Sequence, residues 1–294
     1  MEESCKFVSI NGIARTCDVY PKNIIHNSEN FVKEDYNGIK NGDSVFIVTN
    51  CIKHFVKEVL PGIKENGLKI KVVTGASDIC VPNHLDRIDD KTYLTVFGDS
   101  LIHWFTQNFD NPTDIQEFTC IPLGMDYHTN TEILPRDQEK KLIEIYKKGN
   151  VFNERKSKSL SCFQFRLFSD KSHDKWKAME ALNELAFNDV LTERKDREYL
   201  WKLMTKYKFI ICPCSSGIDT NLIYESILLG CVPITKRSTI SHMLIDLPVL
   251  ILNDWTELNE TIWDVFKDFG KFREINKETM KLEYWTELIK EKQF

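Results

Sequence analysis

The sequence predicts an α/β protein with two Rossmann-like domains that face a central cleft. The chain has 294 residues, which is enough for two domains of ordinary size. Short apolar runs typical of buried strands alternate with helical patterns, and this alternation predicts parallel sheets covered by helices. The lysine-rich segment 147–159 interrupts the alternation. We therefore predict an N-terminal domain over 1–150 and a C-terminal domain over 151–294.

In the first half, apolar runs predict four strands and apolar spacing predicts two helices. The strands are predicted at 43–50, 68–75, 91–99 and 117–124. One helix is predicted over 51–67, ending at Gly67, and the other over 100–109, with Ser100 as its cap. The carboxyl ends of such strands form the edge of a sheet where ligands bind.

The second half repeats the pattern and ends in two amphipathic helices. The strands are predicted at 160–165, 207–213, 231–235 and 247–252. The helices are predicted at 172–187, 197–206, about 219–229, 255–269 and 277–291. Because the last two follow the final strand, we expect that this helical tail can cross back onto the first domain.

Composition and charge exclude several classes of protein. With 42% hydrophobic and 28% charged residues, the chain is predicted to be globular. The net charge of -5 argues against a nucleic-acid-binding protein, which normally presents a basic face. The N-terminus lacks the basic start and apolar core of a secretory signal, and no apolar run is long enough to span a bilayer. We expect a soluble, cytoplasmic protein without a transmembrane segment.

The cysteines favour buried thiols over disulfides or a metal site. Their number, nine, is odd, and several lie inside predicted strands. Cys212 and Cys214 are too close for a two-residue zinc knuckle, and no partner pair occurs elsewhere. The sequence therefore predicts reduced cysteines and no metal.

The loop 213–220 has the residue types of a phosphate-binding turn. Ser215, Ser216 and Gly217 are small and leave backbone N–H groups accessible just before a helix. Asp219 is the predicted N-cap of a helix that begins at Thr220. If Asp219 caps the helix, its charge repels a diphosphate on the helix axis, so contacts must come from the 215–217 backbone and from a cation.

Glu225 is an acid on an otherwise apolar helix face, between Leu222 and Leu229. Two interpretations stay open. The carboxylate can accept hydrogen bonds from both hydroxyls of a ribose, or it can pair at the rim with a lysine such as Lys208 or Lys236.

Several segments of the chain resemble a known family. The stretch "YKFIICP…GIDTNLIYESILLGCVPI", followed by "LPVLILNDWTEL", is similar to the nucleotide-sugar-binding half of GT-B-fold glycosyltransferases. The likeness is to the exostosin-like group and its relatives in large DNA viruses. The segments "HWFTQNF" and "IPLGMDYHT" are similar to the acceptor-side domain. The resemblance spans residues 44–258 with gaps and is most specific in 207–255.

The resemblance implies a site for a nucleoside-diphosphate sugar, with UDP or GDP as its nucleotide. It makes Glu225 the ribose-binding acid and Ser216, Gly217 and Thr220 the diphosphate contacts. Asn221 departs from the pattern, because a basic residue often stands there. Two cations that flank the strand end at 165 are candidates to replace it, Arg166 and Lys171, and their alternative is a solvated surface charge.

The first domain offers candidates for the base and the acceptor site. Asp126 and His128 follow the strand over 117–124, and either can deprotonate an acceptor hydroxyl. Asp126 is the preferred base, because His128 is also consistent with a hydrogen-bonded structural residue. Trp104, Gln107 and Asn108 are predicted to line an acceptor site, although Trp104 also fits the core.

The expected function is a glycosyltransferase that moves a sugar to a glycan or sugar acceptor. The sequence contains no Asp-x-Asp pair, no dinucleotide fingerprint and no phosphate-binding P-loop. We therefore expect no metal and no cofactor in the transfer, with the departing diphosphate stabilised by a helix dipole and cations. If the protein is viral, the compartment is the host cytoplasm. The alternatives are a nucleotide-sugar epimerase or hydrolase on the same scaffold, and a non-catalytic GT-B-like binding protein.

Overall fold

The chain forms two compact units. The computed structural model describes residues 1–85, 87–111, 116–163, 173–266 and 278–292. Unit 1 contains Met1–Thr131, Gly217–Asp219 and Glu278–Phe294, and unit 2 contains Glu132–Ser216 and Thr220–Lys277. Unit 2 therefore begins before the predicted boundary at 150/151.

Unit 1 contains a parallel sheet of four strands in sequential order, β1-β2-β3-β4. The strands are β1 (Ser44–Val48), β2 (Ile70–Gly75), β3 (Leu101–Thr106) and β4 (Phe118–Cys120). The helices of its first segment are α1 (Ile10–Thr16), α2 (Ile52–Glu58), α3 (Leu60–Glu65) and α4 (Tyr93–Phe97). The mixed α/β class predicted from the alternating pattern is confirmed.

Two predictions in unit 1 are wrong. The segment 91–99, predicted as a strand, contains helix α4, and the segment 100–109, predicted as a helix, contains strand β3. The side chain of Thr92 accepts a hydrogen bond from the N–H of Thr95 and caps α4. Strand β3 lies between β2 and β4, and its last four residues are all buried, so it lacks the alternation that identifies a half-exposed strand.

Unit 2 contains a parallel sheet of five strands in the order β6-β5-β7-β8-β9. The strands are β5 (Lys156–Ser161), β6 (Asn188–Val190), β7 (Tyr207–Ile211), β8 (Val232–Lys236) and β9 (Leu250–Leu252). The helices are α5 (Pro135–Lys148), α6 (Asp174–Leu182), α7 (Arg197–Met204), α8 (Asn221–Leu228), α9 (Ser241–Leu244) and α10 (Glu260–Phe266). Helix α5 packs against α7 and α8, which explains why it belongs to unit 2 although it precedes the lysine-rich segment.

One hydrophobic cluster of unit 2 packs on its sheet. Phe209 and Ile211 of β7 and Ile234 of β8 are almost fully buried there, together with Trp255 and Trp263. Strand β5 begins four residues earlier than predicted. The apolar pattern did not include these residues, because they are polar. The hydroxyls of Ser159 and Ser161 of β5 hydrogen-bond to Asn188 of β6, so these positions are buried without being apolar.

The order of the strands in unit 2 creates a topological switch point. The chain passes from β5 outward to β6 and then returns to the other side of β5 to form β7. The strands that follow β5 and β7 in the chain, β6 and β8, therefore lie on opposite sides of this pair. In open α/β sheets this position, outside the carboxyl ends of the strands, is where ligands bind.

The last described helix, α11 (Leu282–Glu291), belongs to unit 1. The segment that carries it is attached by backbone hydrogen bonds from Val8 N to Met280 O and from Leu282 N to Lys6 O. Trp285 and Ile289 of α11 are buried. The chain thus returns to its first unit after unit 2, as expected for the helical tail.

All nine cysteines are free, and eight of them are buried. Burial raises the pKa of Cys17, Cys120, Cys162 and Cys231 to about 12, so these thiols stay protonated at neutral pH. The prediction that the thiols are mostly buried is confirmed.

Within the described ranges, no helix has both the length and the apolar character needed to cross a membrane.

Candidate functional site

The switch point of unit 2 brings the start of α6 against the loop that follows β7. His173 caps α6 by accepting a hydrogen bond from Lys175 N. The next side chain, Asp174, accepts a hydrogen bond of 2.9 Å through Oδ2 from Cys214 N. Lys175 donates a hydrogen bond of 3.2 Å from Nζ to Ser215 Oγ. Two consecutive residues of the helix start therefore hold two consecutive residues of the loop.

A second lysine completes this cluster. Oδ1 of Asp174 accepts hydrogen bonds from Trp255 Nε1 at 2.9 Å and lies 2.8 Å from Lys236 Nζ, at the end of β8. Burial lowers the pKa of Lys236, whereas the hydrogen bond to Asp174 and the charge of that carboxylate raise it. The second effect is the larger, so the pKa of Lys236 lies above its usual value. Lys236 is therefore fully protonated at neutral pH.

This arrangement, the lysine cluster of Asp174, Lys175, Ser215 and Lys236, suits an anionic ligand. The two ammonium groups outweigh the single carboxylate, so the cluster carries a net positive charge. The N–H groups at the start of α6 add the positive end of a helix dipole. Ser216, beside the cluster in the chain, is exposed. A phosphate that contacts Ser216 would meet positive charge at this loop.

The cations predicted from the sequence for this site are other residues. Arg166 and Lys171, the two candidates, lie outside the described residues. Lys175 was missed, because it falls inside a predicted helix and reads there as an ordinary surface lysine. Its signal is its position: it stands in the first turn of the helix after β5, next to the switch point.

The second half of the predicted phosphate loop belongs to unit 1. Asn108 Oδ1 accepts hydrogen bonds of 3.1 Å from Ile218 N and from Asp219 N. A Cβ on Gly217 would lie 2.5 Å from Asn108 Nδ2, so the side chain of Asn108 requires glycine at this position. Gly217 is buried, and the backbone N–H groups that follow it already have an acceptor. We therefore restrict the phosphate loop to its first half, Ser215 and Ser216.

The prediction that Asp219 caps α8 is wrong. The N-cap residue is Thr220, whose side chain makes no capping hydrogen bond, and the helix begins at Asn221. Asp219 is only 3% exposed, and its Oδ2 accepts a hydrogen bond of 2.8 Å from Leu123 N in unit 1. Asp219 therefore joins two segments of unit 1, while Thr220 and Asn221 remain partly exposed at the start of α8.

Glu225 is buried and paired inside unit 2. Its Oε1 accepts a hydrogen bond from the guanidinium of Arg197, and its Oε2 accepts one of 2.8 Å from Trp201 Nε1. The predicted pairing with Lys208 or Lys236 is wrong, because those lysines bind Ser157 and Asp174 instead. A ribose can reach Glu225 only through the remaining lone pairs of its oxygens, so the ribose role stays a prediction.

In unit 1, Asp126 and His128 lie together after β4. His128 Nδ1 is 3.2 Å from Asp126 Oδ1, which also accepts a hydrogen bond of 2.9 Å from Thr129 N. The ring of His26 stacks on that of His128 with centroids 5.2 Å apart. Burial and the neighbouring His128 lower the pKa of His26, so its ring is neutral at pH 7. A carboxylate beside an imidazole is an arrangement suited to accepting a proton.

The three predicted acceptor-side residues form part of the interior of unit 1. Trp104 is fully buried and donates a hydrogen bond of 2.8 Å to Thr74 Oγ1. Gln107 and Asn108 are 2% and 1% exposed, and each donates to the carbonyl of Ser77. Trp104 thus joins β3 to β2, while Gln107 and Asn108 hold the loop after β2, and all three side chains are buried.

Comparison with known proteins identifies no relative of this chain, so the function must be inferred from the geometry of the two units. No protein-family model matches the chain, and no curated protein matches its sequence. Among the described residues, the lysine cluster of unit 2 and the carboxylate–imidazole pair of unit 1 have a chemical use in the expected transfer.

Proposed function

We propose that the protein is a glycosyltransferase that uses a nucleoside-diphosphate sugar as its donor. Unit 2 binds the donor, and unit 1 supplies the base for a sugar or glycan acceptor. In this proposal the two units serve as the donor-side and acceptor-side domains of a GT-B-type enzyme, and the nucleotide is UDP or GDP.

The observation that carries the proposal is the lysine cluster at the switch point of unit 2. Lys175, in the first turn of α6, bonds to Ser215 in the loop after β7, and Lys236, the last residue of β8, pairs with Asp174 of the same helix start. A diphosphate leaving group gains negative charge as the bond to the sugar breaks. Fixed ammonium groups and a helix N-terminus stabilise that charge where it develops.

The proposed reaction is a displacement at the anomeric carbon of the donor sugar. The bond between that carbon and the diphosphate oxygen breaks, and the electron pair leaves with the diphosphate beside Lys175 and Lys236. The acceptor hydroxyl oxygen forms the new bond, and its proton passes to the pair Asp126 and His128 if the reaction inverts configuration. If the reaction retains configuration, the departing phosphate oxygen takes that proton.

Replacing Lys175 tests the donor site. We expect Lys175→Ala to weaken the binding of UDP- or GDP-sugar by about 10- to 100-fold, because a charge-assisted hydrogen bond contributes about 1.5–3 kcal/mol. Binding is measured by isothermal titration calorimetry, after a thermal-shift screen has identified the nucleotide that stabilises the chain. Transfer is then followed by release of the nucleoside diphosphate in the presence of candidate acceptors.

The matched control is Lys202→Ala. Lys202 also belongs to unit 2, but it pairs with Glu198 on the surface of α7. We expect this variant to bind the donor as the wild type does. Equal donor affinity in a folded Lys175→Ala variant would remove the lysine cluster from the donor site.

A nucleotide-sugar-binding protein without transferase activity is the second candidate. Two observations favour it. Both carboxylate oxygens of Glu225 already accept hydrogen bonds, from Arg197 and Trp201. The backbone N–H groups of residues 218 and 219 already donate to the side-chain oxygen of Asn108. Donor binding that depends on Lys175, without release of nucleoside diphosphate over a broad acceptor panel, would favour this candidate. Epimerised sugar in the absence of acceptor would favour an epimerase instead.

A further inference from the structure

Three potential metal ligands lie together in unit 1, on the loops that follow β2 and β3. They are Cys80, His84 and Asp110. The sulfur of Cys80, a ring nitrogen of His84 and a carboxylate oxygen of Asp110 all lie within 4.8 Å of one another. We propose that these three side chains form a zinc-binding site. The proposal does not depend on the proposed function, because none of the three belongs to the lysine cluster or to the pair Asp126 and His128.

The distances are close to those of a tetrahedral zinc site. Zinc binds sulfur at about 2.3 Å and nitrogen or oxygen at about 2.0–2.2 Å, so neighbouring ligand atoms are about 3.3–3.6 Å apart. His84 Nδ1 lies 3.6 Å from Asp110 Oδ2. The third ligand atom, the sulfur of Cys80, lies within 4.8 Å of both.

The backbone holds the two ligand loops side by side. Val81 N donates to Asn108 O at 3.0 Å, and Asp110 N donates to Val81 O at 2.8 Å. Asn83 N donates to Asp110 Oδ1 at 2.9 Å, and its side chain donates to Asp110 O at 3.2 Å. The positions of the ligands are therefore fixed by hydrogen bonds that do not involve the ligand atoms themselves.

Asp110 provides a second, independent indication of a ligand. Its side chain is only 8% exposed, and Oδ2 is a buried oxygen without a hydrogen-bond partner in the part of the chain that the structure describes. A buried carboxylate oxygen that lacks a partner costs free energy, because it loses its hydration. Its other oxygen is held by Asn83, so the unpartnered oxygen points to the side of His84. A cation between Oδ2, His84 and Cys80 would satisfy it.

The ligand types select the metal. A thiolate with an imidazole suits zinc, whereas magnesium and calcium prefer oxygen ligands alone. One thiolate, one carboxylate and a neutral imidazole balance the charge of a divalent zinc ion. The ring of His84 is 71% exposed, so water can reach the site and occupy the fourth position.

The set contains a single cysteine, so it lacks the closely spaced cysteines that make a zinc site recognisable from sequence. Asp110 stands 30 residues after Cys80 in the chain, and only the parallel order of β2 and β3 brings their following loops together. The spacing of Cys80 and His84 in the segment "CVPNH" is the one local signal.

Cobalt substitution of the full chain tests the site. Freed of metal with a chelator and titrated with Co²⁺, the wild type is expected to bind one ion and to develop visible tetrahedral bands with a near-ultraviolet thiolate-to-cobalt band. Zn²⁺ is expected to displace Co²⁺ and to raise the melting temperature of the protein. Cys80→Ser should abolish the thiolate band, and His84→Ala and Asp110→Asn should each weaken binding at least about tenfold.

Matched controls are Cys51→Ser and His54→Ala. Cys51 is another buried cysteine of unit 1, and His54 is an exposed histidine of α2. Both variants should bind cobalt as the wild type does. Because the ring of His84 is exposed, its variant is expected to fold even if the variants of Cys80 and Asp110 do not. Absence of saturable binding by the wild type, or unchanged affinity in His84→Ala, would overturn the proposal.

Discussion

His103 shows how one buried residue couples the stability of unit 1 to pH. It is 2% exposed in strand β3, where a ring nitrogen, Nε2, lies 2.8 Å from Thr119 Oγ1. Burial, with a smaller effect of the charge of Lys292, lowers the pKa of His103 from 6.5 to about 4. The folded protein therefore keeps this ring neutral at a pH where the unfolded chain protonates it.

The sign of the pH effect follows from this difference. Between pH 6.5 and about 4 the unfolded chain binds more protons at His103 than the folded chain does, so the stability that the neutral ring provides is lost as the pH falls. We expect the wild type to lose on the order of 2 kcal/mol more than His103→Gln over this window. Urea unfolding of both proteins at several pH values measures the difference. Parallel pH curves for the two proteins would contradict the expectation.

Other single residues show where the sequence is informative and where it is not. Glu225 is recognisable as an unusual acid because the helical spacing surrounds it with apolar residues. Its partner Arg197 is not recognisable from the sequence, because Arg197 stands 28 residues away on another helix. Only the packing of the helices within unit 2 brings the guanidinium to Glu225. The same holds for Asp219 and Leu123, which are 96 residues apart.

At the scale of elements, the end of α8 depends on Arg155. Its guanidinium donates hydrogen bonds to the carbonyl oxygens of Leu229 and Gly230, at 2.9 Å and 3.0 Å, and its Nε donates to Asn150 O. Gly230 has φ of +73°, the left-handed conformation that often ends a helix and that favours glycine. The positive charge lies where the helix dipole is negative.

We expect Arg155→Ala to destabilise unit 2 by about 3 kcal/mol, because it leaves buried carbonyl oxygens without donors. Arg155→Lys should recover only part of this loss, since lysine lacks the planar fork that reaches two carbonyls at once. Thermal and urea unfolding measure both variants. Arg237→Ala is the control: that side chain makes an exposed hydrogen bond to Asn253, and its removal should change stability by less than about 0.5 kcal/mol. Equal stability of the two alanine variants would contradict the role of Arg155.

The elements that sequence reasoning predicted well are those with long or typical patterns. Buried strands β1, β2, β7 and β8 and helix α7 lie within a few residues of their predicted bounds. Helix α4 has only five residues, too few for a helical period to be visible, and β3 is buried along its carboxyl half. Short apolar runs fit either a helix or a strand, so the sequence pattern predicted a strand for α4 and a helix for β3.

At the scale of the whole molecule, unit 1 depends on its last chain segment. Residues 278–292 add Met280, Leu282, Trp285 and Ile289 to its buried side chains. Deletion of 278–294 would expose the surface they cover and remove the hydrogen bonds to Lys6 and Val8. The two α/β units were predictable from the repeated strand–helix pattern, but the membership of residues 217–219 in unit 1 was not, because tertiary hydrogen bonds determine it.

We expect deletion of 278–294 to lower the stability of unit 1 by at least about 5 kcal/mol, since each large apolar side chain contributes about 1.5–3 kcal/mol when buried. Differential scanning calorimetry should show one transition moved to low temperature or lost. Glu283→Ala is the matched control, because this residue is exposed on the same helix. A deleted chain that melts at the wild-type temperature would show that the segment contributes no stability.

The interrupted path of unit 1 also sets the order of events during synthesis on the ribosome. The 146 residues from 132 to 277, three of which belong to unit 1, must leave the exit tunnel before α11 can pack. At about 5–20 residues per second, this takes roughly 7 to 30 seconds. During that time the side of α1 that packs against α11, at Gly12 and Thr16, is uncovered and open to a chaperone, while unit 2 is free to reach its native state first.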